Sequence, residues 1–66
     1  MKILFIISTD KGETIYNAMR LANTGVKHGD EISVFMLGSG VLFEQASSEQ
    51  FNVIEQVNQF KGDFYV

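Results

Sequence analysis

A chain of 66 residues with a net charge of −3, a single histidine and no cysteine has few routes to stability. Disulfide frameworks and cysteine-based metal sites are excluded. The acidic excess and the scatter of Lys2, Lys11, Arg20, Lys27 and Lys61 argue against a direct nucleic-acid surface, which needs clustered cations.

The 45% hydrophobic content is that of a globular chain rather than a disordered one. A domain this small buries only about 60% of the surface its unfolded chain exposes. Below roughly 70–80 residues, association is the staple left once disulfides and metal are gone. An oligomer is therefore expected, or failing that a marginally stable monomer.

Lys2 to Ser8 (KILFIIS) is a near-continuous apolar run. Such runs suit a strand covered on both faces, as in parallel sheets. The run is too short for a membrane span, and it lacks the cleavage site of a secretory signal. Together with the absence of disulfides, this sets the expectation of a cytoplasmic protein with no membrane partner.

Ser8 to Gly12 breaks the pattern, and Asp10 with Glu13 three residues later fits a capping arrangement. Ile15, Ala18, Met19, Ala22 and Val26 then recur at helical spacing, with Leu21 on the flank. Gly25 weakens this helix by about 1 kcal/mol relative to alanine, and an earlier stop there is the alternative to an end at Gly29. Lys27 and His28 fall near the negative end of the helix dipole, and Gly29 takes the left-handed cap position.

Glu31 to Leu37 (EISVFML) reads as a second strand, so strand, helix and strand form a right-handed βαβ unit. Gly38-Ser39-Gly40 makes the next turn, with Ser39 as cap of a short helix over Val41 to Ala46. Ser47 with Gln50 reads as the cap of a third helix, whose Val53, Ile54, Val57 and Phe60 face one way. Asp63 to Val66 has strand composition.

The expected architecture is one α/β domain over residues 1–66. It is a small flavodoxin-like layer of three parallel strands in the order 2-1-3, with helices on both faces. That order leaves the third strand with an uncharged, apolar edge, which makes Phe64, Tyr65 and Val66 the candidate interface.

Ligands of parallel α/β sheets gather beyond the carboxyl ends of the strands. Thr9 and Asp10 after the first strand, and Gly38, Ser39 and Gly40 after the second, are therefore the candidate ligand-binding residues. The competing reading is plain turn chemistry. The phosphate-loop motif is absent, and a dinucleotide fingerprint would need glycine where Phe43 stands.

His28 reads as a dipole partner rather than an acid or base. Asp30 and Glu31 are sequence neighbours pointing to opposite faces of a starting strand, so they make a poor carboxylate pair. The aromatic residues read as core or interface, because no basic groove accompanies them. No catalytic residue, metal ligand or cofactor site is expected.

The segment Asn17-Ala18-Met19-Arg20-Leu21-Ala22-Asn23 resembles the DsrE/DsrF-like family of sulfur-relay proteins. So do Gly29, the strand Ile32-Ser33-Val34-Phe35-Met36-Leu37, the turn Gly38-Ser39-Gly40-Val41, and the opening strand with Glu13-Thr14. The resemblance covers essentially the whole chain but only the amino-terminal part of the family. It implies a truncated flavodoxin-type layer, homo- or hetero-oligomeric assembly, and persulfide transfer, with a sulfur-carrier protein as a possible partner.

The family's cysteine sits just after the third strand, which here falls beyond Val66. No residue of this chain inherits the thiolate that persulfide carriage needs. Fragmentation, loss of chemistry with retention of assembly, and a stop codon decoded as selenocysteine all fit that position. Two further functional readings stand beside sulfur relay: a non-catalytic assembly subunit, and a small anion- or nucleotide-binding module.

Overall fold

The computed structural model describes residues Met1–Val66. In chain order these form β1 (Lys2–Ile7), α1 (Gly12–Lys27), β2 (Glu31–Met36), a 3-10 segment (Gly38–Ala46), α2 (Val53–Gln59) and β3 (Asp63–Tyr65). The strands build one parallel sheet in the order β1-β2-β3. Lys2 pairs with Glu31 and Ile7 with Met36 on one side of β2, while Ser33 pairs with Asp63 and Phe35 with Tyr65 on the other.

This corrects the expected order 2-1-3, because β2 rather than β1 is central. The cause lies in where α2 lands. Asn23 of α1 donates through Nδ2 to the carbonyl of Gln56 at 3.0 Å and to its Oε1 at 3.1 Å, tying α2 beside α1. Val53 of α2 enters the same core as Ile15, Met19 and Ala22 of α1. Both helices therefore cover one face, and the expectation of helices on both faces fails with the strand order. Right-handed crossovers whose helices share a face step across the sheet in the same direction. β3 is consequently delivered to the far side of β2.

The core consists of Ile7, Ile15, Met19, Ala22, Ile32, Val34, Met36 and Val53. Ile3, Phe5, Val57, Phe60 and Phe64 pack around it, and Phe43 meets Phe64 edge to face at 5.4 Å. The apolar stripe of α1 faces this core as its spacing requires. The α1 terminus is also as read: His28 caps the last turn, and Gly29 has φ of +87°, a left-handed conformation that glycine adopts without a Cβ penalty. The helix runs through Gly25 without a break.

The amino-terminal caps differ from expectation. Lys11 is the N-cap of α1 and no side chain caps the helix, because Asp10 lies one position too early. The Thr9 hydroxyl instead accepts from the Lys11 amide at 3.2 Å. α2 begins later than Ser47-Gln50 suggested. The intervening residues close a turn in which Phe51 N donates to Ser48 Oγ, and Asn52 caps the helix by accepting from Glu55 N at 3.0 Å. Ile54 points outward and is exposed rather than sharing the buried stripe. No helix is long and apolar enough to cross a membrane.

Candidate functional site

The two loops at the carboxyl ends of β1 and β2 do meet, as strand-end geometry demands. Leu37 N donates to the Ile7 carbonyl at 2.9 Å, and the Ser39 hydroxyl donates to the Ser8 carbonyl at 3.1 Å. Ser39 therefore ties the loops together and does not cap the 3-10 segment, which has no side-chain cap. Gly38 has φ of +53° at this turn. Gly40 is buried so tightly that a Cβ there would stand 2.2 Å from the Ile7 carbonyl oxygen, and its amide donates to Leu37 O.

Of the five strand-end candidates, Ser39 and Gly40 touch the neighbouring loop, and Thr9 turns back on its own loop. Asp10 and Gly38 remain exposed. The polar groups that could face an anion mostly hold the loops to each other. Three or more His, Cys, Asp or Glu side chains gather nowhere in the chain. The arrangement gives a rigid join between strand ends, with backbone bonds where a reactive group would stand.

The other face of the sheet is different. Because strand side chains alternate, Lys2, Leu4 and Ile6 of β1, Glu31, Ser33 and Phe35 of β2, and Asp63 and Tyr65 of β3 project away from the helices. Nothing in the chain covers them. Ile6 is 60% exposed, Leu4 57%, Tyr65 50%, Leu37 43% and Phe35 37%. The pairing register lines Ile6, Phe35 and Tyr65 up in one row across all three strands, and the rings of Phe35 and Tyr65 lie 5.9 Å apart.

An open trough of about 640 Å³ runs along this face toward the strands' amino ends. Leu4, Ser33 and Phe35 line it together with Lys2, Glu31 and Asp63. Apolar side chains thus occupy the carboxyl half of the face and charges the amino half. Lys2 Nζ lies 3.8 Å from Glu31 Oε2, an exposed pair that contributes little to stability.

The interface residues read from the sequence divide accordingly. Phe64 turns inward onto Phe43 and packs, partly buried, against the core. Tyr65 lies on the open face, and Val66 is exposed. Leu4, Ile6, Phe35 and Leu37 were missed as surface. The signal for Phe35 was present in the strict alternation of EISVF, whose Ile32 and Val34 parity leaves Phe35 on the opposite face. For β1 no such signal exists, because both parities are apolar.

The chain matches no protein-family model, no curated protein and no solved structure.

Proposed function

We propose that this chain is a non-catalytic assembly subunit that binds a protein partner through the uncovered face of its sheet. The observation that carries the reading is the row Ile6, Phe35 and Tyr65, flanked by Leu4 and Leu37, left in solvent by a chain whose only helices lie on the opposite face. Exposed apolar patches of roughly 300–600 Å² on monomers are commonly interaction sites.

The likeness to sulfur-relay proteins fits this reading in a restricted form. With no cysteine among its residues, the chain would serve a persulfide relay by holding the assembly, and the thiol would be supplied elsewhere. The anion-binding reading gains no support, since the Ser39 hydroxyl and the Gly40 amide are engaged within the chain.

The test is native mass spectrometry of the tagged chain recovered from its host, alongside Tyr65→Lys. The expected result is an assembly heavier than the 7.4 kDa chain, lost or much reduced in the variant. Recovery of the unsubstituted chain alone would overturn the assembly reading.

A further inference from the structure

We propose that the occupant of the open face is a second copy of this chain, packed sheet against sheet about a two-fold axis that lies along the row Ile6, Phe35 and Tyr65. The inference rests on the assembly reading and adds the identity of the partner.

Area is the first argument. From their exposures, the five apolar side chains of the patch present roughly 450 Å² of surface per copy, within the range of the largest patches on monomers. A standard interface buries about 800 Å² per partner, and in homodimers about 65% of that is apolar, or roughly 500 Å². The patch thus supplies close to the apolar area that a stable homodimer needs. The molecule also has a broad enough side, since its principal extents are 30 × 23 × 15 Å. Two layers about 10 Å apart account for the shortest of these.

Symmetry is the second argument. An isologous interface uses the same patch on both copies, so it must tolerate being laid on itself. The row Ile6, Phe35 and Tyr65 runs perpendicular to the strands and carries no charge. Rotation about this row sets apolar groups of one copy on those of the other. It sends the Lys2, Glu31 and Asp63 ends of the two copies to opposite ends of the interface, so no like charges are buried together. A patch that instead served a differently charged partner would carry charges among its central side chains, and this one has none.

The decisive experiment exploits the absence of native cysteine. Sedimentation equilibrium of the purified chain, from micromolar to near-millimolar concentration, is expected to show a monomer–dimer equilibrium. Ile6→Lys should weaken it by at least about 30-fold, the effect of losing one central contact of about 2 kcal/mol. Leu21→Lys on the exposed flank of α1 should leave it unchanged.

Because Ile6 meets its own counterpart at the axis across sheets packed about 10 Å apart, Ile6→Cys should be cross-linked into dimers by a short bis-maleimide, and Leu21→Cys should not. Far-UV circular dichroism of each variant identifies any that fails to fold, and the cysteine pair then decides alone. A purified chain that stays monomeric throughout overturns the inference. So does a dimer indifferent to Ile6→Lys in a folded variant, which would place the contact at a sheet edge. If the host assembly forms and is lost with Tyr65→Lys while the purified chain is monomeric, the assembly reading stands and the second copy does not.

Discussion

On the helix side of the sheet, Ile7, Ile32, Val34 and Met36 are sealed under Ile15, Met19, Ala22 and Val53, all nearly inaccessible to water. On the opposite side, Leu4, Ile6, Phe35 and Tyr65 have similar size and apolar character, but no helix reaches them. What separates the two faces is the direction of the crossovers. A chain of this length builds two of them, and both put their helices on the same side. The contrast teaches that an apolar strand composition specifies that both faces want cover. It does not specify that the same chain supplies it.

The contrast can be broken most severely at the covered face. Met19→Ala removes a fully buried side chain at the centre of the helix layer and should cost about 2–5 kcal/mol. In so small a domain that is enough to abolish a cooperative urea transition. A loss below about 1 kcal/mol would show that the covered face is less closely packed than its burial indicates.

A smaller effect tests the weaker half of the same layer. Asn52→Ala deletes the closer of two side-chain acceptors at the start of seven-residue α2, with an expected loss of about 1 kcal/mol. Thermal melts of the two proteins at equal concentration would reveal it. Unchanged melting would mean that Ser47, whose hydroxyl accepts from Ile54 N at 3.4 Å, already suffices as a cap.

The least change is expected at the open face. Ile6→Ser, measured at dilution where the chain is monomeric, should alter stability by no more than about 0.5 kcal/mol. If it cost as much as Met19→Ala, the two faces would not differ in the way described.

The strands and α1 were legible to within a residue or so, because period and punctuation are local, whereas the 3-10 segment begins earlier and α2 later than read. Ile15, Met19 and Ala22 announce a helix, and His28-Gly29 ends it whatever lies around them. Strand order was not legible, because it turns on which face α2 occupies. That depends on contacts distant in the chain, such as Val53 with the α1 core residues and Asn23 with Gln56, 33 residues apart.

The division between Phe64, turned inward, and Tyr65, on the open face, has the same origin at shorter range. In a strand of period two, a shift of one residue swaps core for surface. The run Phe64-Tyr65-Val66 is apolar at every position and gives no parity. The caps were misplaced for a related reason: Asp10 and Ser47 are good capping types, but the helices begin at Gly12 and Val53, where the preceding turns release them. The meeting of the strand-end loops was legible in position. What they do with their polar groups was not, because Ser39 reaches a carbonyl 31 residues away.

The register of the sheet has one more consequence. Lys2 lies beside Glu31 and Ser33 beside Asp63, so each strand is separated from its partner by about thirty residues of chain. Each later strand joins at the outer side of the one before it, and none has to slip between two already formed. The two loop closures therefore cost similar entropy. On a ribosome, which delivers the amino end first, β2 can settle on β1 before β3 has been made. In this topology the order of synthesis and the order in space coincide, and the row Ile6, Phe35 and Tyr65 is completed only when the last strand docks.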